Sequence, residues 1–183
     1  MILPREFYNN ETQLVAVSLL GKRLVRTIND ITLSGIIQET EAYGHHDDPD
    51  SHAHNGRTNR NSPMFEEVGR VYVYFIYGMH YCFNVVCRAP DVMAGAVLVR
   101  SIKPERGISH MMANRKRDTV VGLSDGPAKL TQSLHITTEQ NNEDLTTYGI
   151  IHIEDTDITP QIIMRKSRVG VKSTIDWNFS CSF

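Results

Sequence analysis

The sequence predicts an α+β fold: a single compact domain over residues 1–183, with a curved, mostly antiparallel sheet flanked by helices and a protruding β-hairpin. Three observations carry this expectation. β-Branched and aromatic runs dominate the chain, and such residues suit a pleated, half-buried surface. Strand-like and helix-like segments do not alternate as a doubly wound sheet requires. The run "VYVYFIYGMHYCFNVVC" (71–87) reads as two strands around a tip at Tyr77-Gly78-Met79-His80, where Gly78 supplies the turn.

The remaining elements follow in order. Asn10 and Gln13 have the spacing of a capping box, and Leu14, Val17 and Leu20 continue it at helical period until Gly21 stops the run. Strands are expected over 23–28 and 34–43. A period of two in the second places Ile37, Glu39, Glu41 and Tyr43 on one face. Residues 47–63 are polar and read as a long loop, and a loop of that length in a compact domain is usually functional or disordered. "AVLVRSI" is a buried strand. Pro104 fits the first turn of a helix carrying Ile108, Met111 and Met112, and Pro127 starts another with Leu130 and Leu134. Two further strands are expected at about 150–154 and 161–165.

Composition narrows the classes. Apolar residues make up 40% and charged residues 22%, ordinary for a globular protein, and no run of 18 apolar residues exists to cross a membrane. No basic stretch followed by an apolar one marks a signal peptide. Cys82, Cys87 and Cys181 lack CxxC spacing, so free thiols in a reducing compartment are expected: a bacterial cytoplasm with its nucleoid, or a nucleus. The net charge of −2 is unevenly placed. Residues 100–117 hold six Arg or Lys against Glu105 alone, and residues 139–157 hold six acids and no Arg or Lys. A basic face on an acidic protein is therefore open, beside the plainer reading of a solvated helix.

Four features suggest chemistry. "ETEAYGHHDDPDSHAH" (39–54) gathers four of the eight histidines, three aspartates and two glutamates. His45, His46, His52 and His54 with Asp47, Asp48 and Asp50 could ligate a metal and serve a metal-dependent phosphoesterase. Their spacing matches no familiar ligand pattern, and the same residue types make ordinary loops. Glu41 and Tyr43 stand together where the strand opens into that loop, which suits a base at the end of a pocket, with Glu39 as a second carboxylate on the same face. Tyr72, Tyr74, Phe75, Tyr77, Tyr81 and Phe83 lie within twelve residues. Phe75 and Phe83 fit a core, but Tyr77 at a hairpin tip suits a wedge between stacked bases. Asn84 is a polar side chain in an apolar strand, either hydrogen-bonded structure or a reader of a ligand. Finally, "SDGPAKL" sets Lys129 beside a helix start, a phosphate site in one reading and a plain helix start in the other.

The ordered motifs "ETEAY", "HNGRTNRNSPMF", "VYVYFIYGMHYCFNVV", "AVLVRSIKP", "GPAKLTQSL" and "RVGV" resemble the alkyladenine (3-methyladenine) DNA glycosylase family over about residues 14–171. The resemblance implies a monofunctional glycosylase that excises alkylated purines from double-stranded DNA and leaves an abasic site, with no cofactor or metal, no membrane association, and action as a monomer. It implies that Glu41 activates water, with Arg100 and the main chain of Val169 holding that water. Tyr43, His52 and Tyr74 would stack around the flipped base, Asn84 would crowd the amine of guanine, and Tyr77 with Met79 would fill the gap left in the duplex. Arg57, Lys129 and Arg168 are the expected phosphate contacts. A non-catalytic lesion-binding protein is the alternative from another class, and the intact Glu41 argues against it. Two places depart from the family pattern: Glu66 and Glu67 replace small residues and proline near the DNA side, and Asn178 stands where a basic residue is common.

Overall fold

The computed structural model describes residues 1–183. Its centre is one curled sheet of eight strands, every pairing antiparallel. The strands are β1 (Arg23–Ile28), β2 (Ile31–Tyr43), β3 (Val71–Ile76), β4 (His80–Val86), β5 (Ala96–Arg106), β6 (Ile151–Glu154), β7 (Ile162–Lys166) and β8 (Asn178–Ser182). The main order is β3-β4-β5-β2-β1-β6, and β8 adds to the C-terminal half of β2 and carries β7 on its other side. The helices α1 (Arg5–Tyr8), α2 (Thr12–Leu19), α3 (Ile108–Arg115) and α4 (Pro127–Ser133) are short. No helix is long and apolar enough to cross a membrane.

β2 begins three residues earlier than expected because β1 and β2 join through a two-residue hairpin. Asn29 and Asp30 both take positive φ, +47° and +66°. That is the turn whose twist matches a two-stranded ribbon, and Asn and Asp tolerate it. The second hairpin forms as expected, with Tyr77 (φ +51°) and Gly78 (φ +68°) at its tip.

The even alternation expected along β2 fails. Pairing with β5 runs Ile37↔Ile102, Glu39↔Ser101, Thr40↔Val99 and Glu41↔Leu98, so Gln38 and then Arg100 are each left over. Two opposed bulges switch which face a residue meets. Ile37 joins Leu33 and Ala42 in the core, while Glu39, Glu41 and Tyr43 face the other way.

Other elements shift for local reasons. Pro104 belongs to β5 rather than to a helix, opposite Gly35 at a register shift, and α3 starts only after Gly107 at φ +69°. The capping box is not formed: Glu11 is the N-cap without a side-chain bond, and Asn10 Oδ1 accepts from the Glu11 amide at 2.9 Å. The helix buries Val15, Ala16 and Leu19 and leaves Leu14 exposed. β8 was not expected at all.

The main core lies between the sheet and the helices, and Phe83 and Leu130 are fully buried in it. Each such side chain contributes about 1.5–3 kcal/mol by burial. Thr40 Oγ1 ties the sheet to α2 by donating to the Ala16 carbonyl at 2.9 Å. A smaller cluster of Ala53, Met64, Tyr72, Val86, Ala94 and Ala96 lies beneath the 44–65 segment and fixes it to β3, β4 and β5.

Candidate active site

Glu41 is held from four directions. It is fully buried, and both carboxylate oxygens accept hydrogen bonds. Oε1 accepts from the Val169 backbone N–H at 2.7 Å and from Asn178 Nδ2 at 2.9 Å. Oε2 accepts from the Tyr43 hydroxyl at 3.0 Å and from Arg100 Nη1 at 3.2 Å. Charge-assisted bonds of this kind are among the stronger ones, and four of them fix the carboxylate's direction. The β5 bulge supplies the Arg100 arm, since bulges re-aim side chains beside sites. The same guanidinium donates through Nε to Glu39 Oε1 at 3.1 Å.

Beyond Glu41 opens a cavity of about 270 Å³. Every residue expected to be catalytic or to hold the base lines it: Glu41, Arg100, Val169, Tyr43, His52, Tyr74 and Asn84. Tyr77 reaches its rim, 86% exposed, and Met79 stands beside it at the tip, 67% exposed. The His52 and Tyr74 rings meet edge to face at 4.5 Å. Tyr72, which the sequence reading left out of the site, fixes the imidazole: its hydroxyl lies 2.9 Å from His52 Nδ1. Its signal was present, because Tyr72 and Tyr74 share a strand face at period two. Asn61 steadies the loop from behind, donating to the His52 carbonyl at 2.6 Å.

The electrostatics favour neutral walls. One side of His52 is open to the cavity, but the protein packed around its ring, with Arg60 as a lesser cause, pushes its pKa down to about 4. Burial raises the Tyr43 phenol, helped by the charge of Glu41, and burial likewise raises Tyr74 and the Cys82 thiol. Asn84 donates its amide hydrogens to the carbonyls of Tyr72 and Cys82, at 3.0 and 3.3 Å. Both readings of Asn84 therefore meet in one residue: it is hydrogen-bonded structure, and it lines the cavity.

Arg168 requires a correction. Expected at a phosphate, it is buried, with Nη1 and Nη2 each 2.7 Å from an oxygen of Asp48 and with Asp50 at 3.3 Å. Its guanidinium lies over the rings of Tyr43 (4.6 Å) and Trp177 (5.4 Å) and donates to the Ala42 carbonyl at 3.0 Å. A cation so enclosed by carboxylates cannot reach a phosphate. It fastens the segment carrying Val169 to the loop after β2. Asp48 and Asp50 are thereby engaged, and His46 faces the His54 carbonyl at 3.1 Å, so the loop assembles no group of three or more His, Cys, Asp or Glu suited to a metal.

Arg57 is exposed and Lys129 partly so, yet both are ion-paired, Arg57 with Glu66 and Lys129 with Asp125 at 2.7 Å. Glu67 pairs with Arg5 and Arg70. Asn178, whose strand the sequence reading missed, sits in the site: fully buried, it donates to Glu39 and Glu41. The departure from the family pattern marked the position but not its place, since the contacts of a polar residue in a strand are recognisable only once the strand is.

A buried carboxylate facing a ring-walled cavity beside an exposed aromatic tip defines the class, a hydrolase of the DNA glycosylase type. Comparison with known proteins specifies it further. The family model described as methylpurine-DNA glycosylase matches residues 6–182, and the chain belongs to that family. A relative from Carboxydothermus hydrogenoformans, provisionally named a 3-methyladenine DNA glycosylase, is 44% identical over 96% of this chain and 92% of its own length. Relatives under the same name from Prosthecochloris aestuarii (42%, covering 94% and 83%) and Clostridium perfringens strain 13 (41%, covering 93% and 88%) are similar.

Proposed function

We propose that this protein excises alkylated purines, 3-methyladenine and 7-methylguanine among them, from duplex DNA by hydrolysing the N-glycosidic bond of a flipped nucleotide. The observation that carries the reading is the four-donor clamp on Glu41 at the cavity wall. In this scheme Tyr77 fills the space in the duplex while the purine enters between Tyr43, His52 and Tyr74. Flipping costs a few kcal/mol, less for a damaged base, and stacking on aromatic side chains returns about 1–3 kcal/mol per base. A purine nucleotide methylated at N3 or N7 is cationic, and electron-rich rings attract it. A neutral His52 does not repel it.

Glu41 takes a proton from water as the water oxygen bonds to C1′, and the electron pair of the C1′–N bond leaves with the base. The buried carboxylate also stabilises the oxocarbenium-like transition state, as in glycosidases that use one carboxylate as base. A cationic base leaves without an acid, whereas neutral lesions such as hypoxanthine or ethenoadenine require protonation of the leaving base. The products are the free base and an abasic site in an uncut strand. Arg57 and Lys129 exchange their intramolecular partners for phosphates.

The test is single-turnover release of 3-methyladenine from methylated duplex, with and without EDTA. Release unaffected by chelation and abolished in Glu41→Gln is expected. Rapid release by Glu41→Gln removes Glu41 as the base. Loss on chelation with recovery on adding Zn²⁺ or Mn²⁺ points to the metal-dependent alternative, and binding without release leaves a lesion sensor.

A further inference from the structure

Asn178 is one of the four donors to Glu41, and it is the one neutral side-chain amide that also holds Glu39. It lies directly across from Glu41 in the β2–β8 pairing and from Lys166 in the β7–β8 pairing. Its Nδ2 donates to Glu39 Oε1 at 2.8 Å and to Glu41 Oε1 at 2.9 Å. An amide nitrogen carries two hydrogens, so the two bonds use its whole donor capacity. Its Oδ1 is buried with no partner. A buried acceptor without a donor is destabilising, so the arrangement is costly as a packing device. Buried polar atoms are rarely left without a partner, and a role in a catalytic site is one reason for such an exception.

We propose that Asn178 is a positioning residue for the glycosidic hydrolysis, an uncharged bridge that holds Glu39 and Glu41 side by side and aims Glu41 at the cavity. The proposal rests on the glycosylase reading. The charged and titratable groups around the bridge are Glu39, Glu41 and Tyr43 on β2, Cys82 on β4, Arg100 on β5 and Lys166 on β7, the last 3.6 Å from Glu39. Arg100 alone reaches both carboxylates as a cation. A neutral donor at 178 orients Glu41 without adding a second positive charge against it. An aspartate of the same shape replaces a donor with a third carboxylate, and its donor returns only when it is protonated.

The experiment measures single-turnover release of 3-methyladenine by wild type, Glu41→Gln, Asn178→Asp and Asn178→Ala across pH 5–9, with DNA affinity and thermal unfolding of each. Asn178→Asp is expected to lose tenfold or more of its maximal rate near neutral pH. The loss should shrink toward pH 5, and lesion-DNA affinity should stay within threefold. Asn178→Ala should lose rate to a similar extent at every pH. Rates within twofold of wild type for either folded variant overturn the proposal, as does a pH-independent loss in Asn178→Asp. Should the alanine variant fail to fold, the aspartate profile decides. Wild-type release that Glu41→Gln abolishes, alongside unaltered Asn178 variants, sinks the bridge and leaves the glycosylase reading standing. No release by wild type removes both.

Discussion

At the residue scale, the geometry around Glu41 depends on side chains that lie behind the cavity wall. Arg168 places Tyr43 and Val169, two of the four donors to Glu41, by joining Asp48, Asp50 and the Ala42 carbonyl. Truncating one member of a buried ion pair leaves an uncompensated charge and costs about 3–5 kcal/mol. Arg168→Ala is therefore expected to lower unfolding stability in urea by that order and to lower base release further than stability explains. A variant as stable as wild type contradicts the buried pairing. His52 gives a pH-dependent test. Its folded pKa of about 4 lies below the ordinary 6.5, so between these values the unfolded chain binds more protons. Stability from this group is thus present above pH 6.5 and is lost as pH falls toward 4. An NMR titration of the imidazole should show a midpoint near 4, and a midpoint near 6.5 would mean that the ring is not packed as described. That Glu41, Tyr43 and His52 meet at one cavity was legible from residue type and motif. Arg168 misled because a lone arginine in "RVGV" carries no mark of its carboxylate partners Asp48 and Asp50, which lie more than a hundred positions away in sequence.

At the element scale, β1, β3 and β4 could be read closely because alternation and turn residues announced them. β2 was read with the wrong parity in its first half, because a bulge in one strand depends on its partner: Gln38 is extra only against β5, and no local pattern records that. β8 escaped for a related reason, since Asn178–Ser182 mixes polar and apolar residues and gains its identity from pairing with β2 and β7. The hairpin between β3 and β4 shows a local conflict of the kind expected at function. Tyr77 holds positive φ, which costs a non-glycine residue about 1–2 kcal/mol, and exposes a large ring. Replacing it separates fold from function. Tyr77→Gly should be at least as stable as wild type, because glycine suits that backbone, while losing the ring proposed to fill the duplex. Fluorescence of a base analogue at the lesion should report reduced flipping with little change in binding to undamaged DNA. Unchanged flipping excludes Tyr77 as the wedge.

At the scale of the whole molecule, charge is sorted by position in the fold. Three of the six acids in residues 139–157 have partners on the N-terminal elements or on the segment entering β3: Asp144 with Arg5 and Arg70, Glu154 with Arg23, and Asp155 with Lys22. The same sorting explains how a chain of net charge −2 can still present cations, since Lys103, Arg106, Lys116 and Arg117 are at least partly exposed and make no ion pair. Arg57 and Lys129 are weaker candidates for phosphate contact, because each must first leave a carboxylate. DNA binding that neutralises phosphates releases counterions, and log K falls with log salt by about 0.9 per phosphate neutralised. Removing a cation that touches DNA should lower that slope by about the same amount, whereas removing one that does not leaves it fixed. Anisotropy titrations between 50 and 200 mM salt (a range where such losses are large) can therefore map the face. Arg57→Ala with Lys129→Ala is expected to flatten the slope by up to about 2, and Glu66→Ala should steepen binding by freeing Arg57. If neither pair nor partner changes the slope, and Lys116→Ala with Arg117→Ala does, the phosphate track runs past the end of α3 rather than past the 57–66 segment.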